Sequence, residues 1–327
     1  MRRLLEGLVG VALALAVTGC TSAGPGADEG VAPGPAPARL DALPAGEQAR
    51  LAYVRDTELV LPDGERIEVP TGSRVVQGGG QVLVVDVPEG PGIRPADGAV
   101  RSRVRAVEGG RLQSVTLDAV GLPVISADGA VVAWAGTGPD GRVFVDRWQR
   151  DGSRSGSQRI EVAFSPTCCT RSFALAGVTE DGVTYGSGGG ATWAAPLDVR
   201  TPPAPVDLDG DALLQVTGDG GMLTVGASGT RFGRLREERF VAIAEVDGWA
   251  TALVSPDAQS MVLLGARSVI VRDLGDGTNQ TVLDVGDQTV DIVGWEDDTS
   301  VLLSLAESPG VPAARCHTDG TCESVGD

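Results

Sequence analysis

The chain has 327 residues, with 44 acidic against 26 basic side chains and a formal net charge of −18. A surface this negative repels nucleic-acid phosphates and anionic headgroups, which excludes nucleic acid as a partner and charge-driven docking on a membrane. Every cation is an arginine, and the length allows one large folded domain or two small ones.

The N-terminus carries Arg2-Arg3 and, after Glu6, an apolar run from Gly7 to Val17. Its 11 residues suit the apolar core of an export signal and fall short of the ~18–20 needed to cross a bilayer. Val17-Thr18-Gly19-Cys20 follows, then Thr21 and Ser22. This segment resembles the lipobox of bacterial lipoproteins, where small residues ahead of the cysteine let the backbone enter the processing peptidase. The resemblance implies that the Cys20 thiol receives a diacylglyceryl group and that cleavage leaves it as the first residue. An ordinary secretory signal with a cysteine at its cleavage site is the other reading. Cleavage before Cys20 removes Arg2, Arg3 and Glu6, two positive charges and one negative, and moves the net charge from −18 to −19. Two acyl chains at about 0.8 kcal/mol per buried methylene anchor a protein stably, whereas one does so marginally.

From Thr21 to Glu47 proline, glycine and alanine dominate without apolar periodicity, so this stretch reads as a disordered tether. The expected organisation is a signal peptide over 1–19, a lipidated N-terminus and linker over 20–47, and a folded domain over 48–327. The domain is expected at the cell membrane, lipid-anchored on the extracytoplasmic side.

The folded part reads as all-β. Short runs of Val, Leu, Ile and Thr are broken by Asp-Gly, Gly-Gly, Pro-Asp or Gly-Asp, residues that supply turn geometry between antiparallel strands. One unit recurs, with an acidic turn between two apolar strands. It is seen at Val124–Trp134, Gly177–Gly186, Gln215–Gly226, Leu253–Leu264 and Gly294–Leu305. If Asp128, Asp181, Asp219, Asp257 and Asp298 are equivalent, the intervals are 53, 38, 38 and 41 residues. A period near 40 with four strands per unit is the pattern of propeller blades. Two earlier units, Arg50–Pro70 and one starting at Ser73, fit less well, and the first offers only three strands. The expectation is a β-propeller of seven four-stranded blades, six or eight being alternatives, with a pair of β-sandwiches as the competing architecture.

Ser255-Pro256-Asp257 and Ser126-Ala127-Asp128-Gly129 each keep three residues of a Ser-Pro-Asp-Gly hairpin. On these residues, the chain from about 50 to 325 resembles bacterial β-propellers of the TolB and WD40-like kind. Ala258 departs at the glycine, and the Gly-His and Trp-Asp pairs of true WD40 repeats are missing. The lack of lysine and the single asparagine, Asn279, fit GC-rich coding of the actinobacterial type.

Four cysteines follow Cys20, an even number suited to an oxidising compartment. Cys316 and Cys322 flank a His-Thr-Asp-Gly-Thr turn, where antiparallel pairing would bring their Cβ atoms within disulfide reach, leaving Cys168 and Cys169 for a vicinal bond. Two long-range bonds are the alternative. Zinc is not expected, because Cys168, Cys169, Cys316 and His317 lack the spacing of structural zinc motifs. His317, the sole histidine, sits in that turn and marks no Ser-His-Asp centre. Asp207-Leu208-Asp209-Gly210-Asp211 alternates carboxylates like a calcium loop but has Ala212 and Gly218 where glycine and glutamate belong. Gly186–Trp193 faintly resembles the Asp-box of sialidase-type propellers, itself a structural hairpin. The tryptophans are read as packing between blades. No cofactor is implied.

Two function classes follow. One is a non-enzymatic binding or scaffolding module whose loops hold an envelope protein or glycan. The other is an envelope glycan hydrolase using carboxylates at the channel mouth. A Cys20→Ser variant is expected to lose incorporation of labelled fatty acid and to run as the unprocessed precursor. Normal labelling and maturation would remove the anchor assignment.

Overall fold

The computed structural model describes residues 36–86, 101–113, 117–137, 143–149, 154–159, 174–188, 191–247 and 251–326. The leader, Cys20, most of the linker, Cys168, Cys169 and Trp249 lie outside the described residues. The fold is all-β, a ring of seven sheets that form the blades of a β-propeller.

The N-terminal segment adds β1 (Ala38–Arg39), a 3₁₀ turn over Leu40–Ala42 and β2 (Ala45–Gln48) before any blade begins. Blade 1 holds three strands, β3 (Tyr53–Arg55), β4 (Glu58–Val60) and β5 (Arg66–Glu68). Blade 2 is built from β6 (Arg74–Gly78), β7 (Gln81–Asp86), β8 (Arg101–Glu108) and β10 (Leu117–Val120), with β9 (Arg111–Leu112) closing a hairpin on β8. Blade 3 follows as β11 (Val124–Ile125), β12 (Val131–Thr137), β13 (Val143–Gln149) and β14 (Arg154–Arg159). In blade 4 the strands are β15 (Ala174–Val178), β16 (Thr184–Gly188), β17 (Ala191–Ala195) and β18 (Ala204–Val206). Blade 5 has β19 (Ala212–Val216), β20 (Gly221–Gly226), β21 (Gly229–Arg236) and β22 (Arg239–Asp247). Blade 6 comprises β23 (Thr251–Val254), β24 (Ser260–Leu264), β25 (Ser268–Asp273) and β26 (Asn279–Asp284). Blade 7 ends the chain with β27 (Val290–Trp295), β28 (Ser300–Leu305), β29 (Pro312–His317) and β30 (Cys322–Gly326).

The apolar-on-both-faces strands explain the packing. Along β12, Val131, Ala133 and Ala135 enter a cluster with Trp193 and Val178 of blade 4, while Val132 and Trp134 pack against Leu83 and Val85 of blade 2. Period-2 alternation therefore feeds two interfaces from one strand. Seven buried clusters divide the core, one for each junction between neighbouring blades. A fully buried Val or Leu contributes roughly 1.5–3 kcal/mol relative to exposure, so no blade holds its shape without its neighbours.

The ring closes by three devices. Ala49, Tyr53 and Val60 pack on Leu302 of blade 7. The N-terminal segment then straps the outer rim: β1 pairs in parallel with β26, and β2 pairs in parallel with β30. Finally the chain crosses above blade 7, where Gln48 carbonyl accepts from Arg315 at 2.7 Å and the Arg50 amide donates to Glu296 at 2.5 Å. Arg315 is 2% exposed and holds the fully buried Glu296 carboxylate through two nitrogens, with Glu323 on a third side.

The strap corrects one expectation. The tether is expected over 20–47, yet residues 38–39 and 45–48 are strands of the folded unit. Edge pairing uses backbone groups that every sequence offers, and Pro44 contributes only a carbonyl, to Ser324. No apolar pattern announces such a strand.

Cys316 and Cys322 are opposite partners in the β29–β30 hairpin and form a disulfide with a Cα–Cα distance of 4.2 Å. Arg315→Met is expected to cost about 3–5 kcal/mol, because it leaves the Glu296 carboxylate buried without its partner. Urea unfolding of the mature protein at neutral pH checks this value.

Candidate functional site

The innermost strands β6, β11, β15, β19, β23 and β27 run toward one end of the channel and turn back there. These turns carry the repeated motif. Ser126, Thr179, Thr217 and Ser255 each donate a hydroxyl to the aspartate two residues on, Asp128, Asp181, Asp219 and Asp257. The same carboxylates of Asp128, Asp219 and Asp257 accept a backbone N–H two residues later, at 2.9, 3.2 and 3.0 Å. Blade 7 departs from the expected equivalence. Asp297, not Asp298, accepts from the Thr299 amide and hydroxyl, at 2.8 and 2.9 Å. The reason is that Glu296 stands where the other turns have a hydroxyl, and its carboxylate is drawn to Arg315. In blade 2 a Gly79-Gly80 pair makes the turn. A Cβ on Gly79 would lie 2.0 Å from the Gly129 nitrogen, so the two neighbouring turns touch only because both are glycine.

These turns border a cavity of about 770 Å³ at the channel mouth. Blades 3 to 7 supply only residues of their innermost strands and turns, among them Ile125, Val178, Gln215, Leu253 and Trp295. Toward blades 1 and 2 the cavity reaches farther out, to Leu61, Pro62 and Asp63 and to Val82, Val107, Gly109 and Gly110.

Blade 1 explains this asymmetry. Its Arg50 and Leu51 and its β4–β5 turn lie at the mouth, so β3 starts there and runs away from it, as second strands do. Strands β3, β4 and β5 thus take the second, third and fourth places, and among the described residues no strand fills the first. A side chain substitutes in part. The Gln77 amide accepts from the Ala52 N–H at 2.9 Å and donates to its carbonyl at 3.0 Å. Gln215 makes the same two bonds to Val254, at 2.8 and 3.0 Å, between blades 5 and 6.

Charge at the mouth is sparse. Of the two carboxylates among its described lining residues, Glu296 has both oxygens engaged, by Arg315 and the Arg50 amide. Asp63 accepts the Glu65 amide in its turn. The exposed Arg50 guanidinium is 3.5 Å from Asp297 and 3.4 Å from Glu47. Elsewhere, buried arginines lock blades. Arg147 bonds Thr184, Gln158 and the Ala195 carbonyl, joining blades 3 and 4, and burial pushes its guanidinium down to about 10 against the opposing pull of Asp146.

Several sequence candidates find structural places away from the mouth. His317 Nδ1 is 3.0 Å from Ser300 Oγ, but Ser300 is buried at 3% exposure and does not line the mouth cavity. Asp211 is bound by Arg231 at 2.6 Å and by the Thr224 hydroxyl at 3.0 Å, which removes the last carboxylate of the calcium-like loop. Among the described residues no group of three metal-ligating side chains converges. Gly186 lies opposite Trp193, where a Cβ would be 2.5 Å from the indole, so the Asp-box likeness is a packing hairpin. Trp134, Trp193 and Trp295 pack between blades. Sequence reasoning missed Gln77, Gln215 and Glu296. The two glutamines share a signal, each lying near the end of an innermost strand just before its turn. It also missed that Arg105, Arg147, Arg231, Arg272 and Arg315 all stand on third strands.

No protein-family profile matches the chain, and no curated protein matches it in sequence. Solved structures do resemble it. Dihydro-heme d1 dehydrogenase NirN, in complex with DHE, matches with a TM-score of 0.50 at 15% identity over 84% of this chain, which spans 62% of that one. An oligogalacturonate lyase from Vibrio parahaemolyticus follows with 0.49 and 10% identity, covering 75% of this chain and 78% of that one. TolB from Acinetobacter baumannii follows with 0.42 and 13% identity, covering 82% and 76%. At such identities the likeness establishes the propeller fold alone.

The turn aspartates set a pH dependence. Burial pushes the Asp219 carboxyl up, but the Thr217 hydroxyl, Arg234 and the Gly221 amide outweigh it and hold it below the usual range. At Asp319 the Thr321 hydroxyl and amide do the same. A carboxyl depressed on folding stabilises above its unfolded value of about 3.9, and that contribution is lost as pH falls through the lower folded value. Urea midpoints are therefore expected to hold from pH 7 to about 5 and to drop below about 4, with a smaller drop in Thr217→Val.

Proposed function

We propose that this protein is a lipid-anchored cell-envelope β-propeller that acts as a non-enzymatic binding or scaffolding module, with the channel mouth as its binding face. The observation that carries this reading is the mouth itself. It is a cavity of about 770 Å³ built from tightly hydrogen-bonded turns around the ring, in the size range of ligand sites. Its lining is mostly apolar and backbone, a surface suited to contact rather than to proton transfer. Both Glu296 oxygens are committed, so a glycosidase pair at the mouth would lack a free member there.

Anchoring follows from the leader. Cys20 carries the lipid, and residues 20–35 form the spacer, at most ~50 Å long if extended at ~3.1 Å per residue. The folded unit then stands clear of the headgroups, which its negative charge favours. The ligand class is an envelope protein or glycan.

A photoreactive side chain at position 51, compared with one at the rim position 241, tests the reading in intact envelopes. Reproducible capture of one partner at 51 and not at 241 is expected. No capture at 51, combined with turnover of cell-wall oligosaccharides by the purified domain, would replace binding with hydrolysis.

A further inference from the structure

The strap docks on a cross-linked hairpin. No residue of β1, the 3₁₀ turn or β2 is fully buried. Hydrogen bonds from the strap to blade 7 fall on the β29–β30 hairpin. The Pro44 carbonyl accepts from the Ser324 amide and hydroxyl at 2.8 and 3.1 Å, and the Gln48 carbonyl from Arg315 at 2.7 Å. Gly46 fits there because it lacks a side chain. A Cβ at 46 would lie 2.6 Å from the Ser324 carbonyl oxygen and run into the Glu323 side chain. The Cys316–Cys322 bond sits among these contacts, since the opposed pairs are Ala314 with Ser324, Arg315 with Glu323 and Cys316 with Cys322. A slip of one residue would turn Glu323 away from Arg315 and Ser324 away from Pro44, and the covalent link forbids it. Cys316 is fully buried and Cys322 is 6% exposed. Both lie in a cluster with Val282 and Leu283 of blade 6, on which Leu40 and Leu43 of the strap also pack. A reductant therefore reaches the sulfurs only after this corner has opened.

We propose that the disulfide and the strap form a redox-coupled latch. The bond holds the hairpin in the register that receives the strap, and the docked strap shields the bond. Reduction releases residues 38–48 while the blades stay folded. The chemistry is thiol–disulfide exchange with a dithiol. One thiolate of the dithiol attacks a sulfur of the pair, the S–S bond breaks and a mixed disulfide forms. The second thiol then displaces the remaining cysteine. Two electrons and two protons pass from the dithiol, which ends as a disulfide, to Cys316 and Cys322, which end as thiols. The reverse reaction, with a protein disulfide as oxidant, sets the latch. The coupling is reciprocal, because whatever the bond adds to strap docking, docking adds to the bond. The strap, and the spacer ahead of it, is thereby fixed to the ring only where disulfides form. The latch is independent of what the mouth binds.

Two variants of the mature protein test the two directions. In Cys316→Ala/Cys322→Ala, hydrogen exchange at residues 45–48 is expected to speed up by about tenfold or more, and in blades 3 to 5 by less than about threefold. Gly46→Val displaces the strap and keeps both cysteines. Its equilibrium with a dithiothreitol buffer is expected to shift toward the two thiols by a similar factor. Should the alanine pair fail to fold, the parent protein in the same buffer replaces it, and strap exchange must rise in step with the fraction reduced. Strap exchange that ignores loss of the bond overturns the latch, as does a bond no easier to reduce in Gly46→Val than in the parent. Acceleration of equal size in every blade overturns it too, because the bond would then support the whole ring and not the strap.

Discussion

A propeller is only as sound as its last junction, because each sheet buries both faces against neighbours and none can shield itself. Here the junction between blades 7 and 1 carries the added load of a blade with three strands among the described residues. It is met by a buried ionic clasp, in which Arg315 gathers Glu296, Glu323 and the Gln48 carbonyl at one point. Removing two charges from water is costly, and the geometry offsets it by saturating the guanidinium with carboxylates and a carbonyl. The Glu296 hydrogen bonds, foremost, and Glu323 raise the Arg315 guanidinium further against the lowering effect of burial. The clasp ties the first ordered segment to the last blade, and the outer strap runs beside it.

The same clasp shapes the mouth. By recruiting Glu296 inward it shifts the turn-capping role in blade 7 onto Asp297, so the last turn differs from its four repeated counterparts. Around the rest of the ring, hydroxyl-to-aspartate bonds and amide caps stiffen the turns, and the touching glycines of blades 2 and 3 draw two of them together. A rigid rim around a partly apolar cavity is a surface built for recognition. Among the described residues blade 1 has three strands, and the cavity is lopsided, reaching farther out on that flank.

Much of this was legible in the residues. Turn chemistry at Asp128, Asp181, Asp219 and Asp257, at intervals of 53, 38 and 38 residues, indicated blades and favoured seven, with six or eight left open. The three strands of Arg50–Pro70 were countable, and the Cys316/Cys322 hairpin could be placed from its turn. Asp298 holds the equivalent position, two residues after Glu296, but the cap passes to its neighbour Asp297, a choice between adjacent aspartates that spacing alone does not make. The strap at residues 38–48 was invisible because parallel edge strands are held by backbone groups, which alanine offers as well as valine does and of which proline keeps the carbonyl.

The sequence by itself determined the local periodicities, namely which segments are strands, where they turn and which faces are apolar, since these depend on neighbours a few residues away. Only the tertiary structure decided how the ring closes, that Gln77 and Gln215 serve as strand partners, and that the mouth cavity reaches farthest out at blades 1 and 2. Those features join residues up to 280 positions apart, as from Pro44 to Ser324. Such contacts arise from the geometry of a closed ring, which no local pattern encodes.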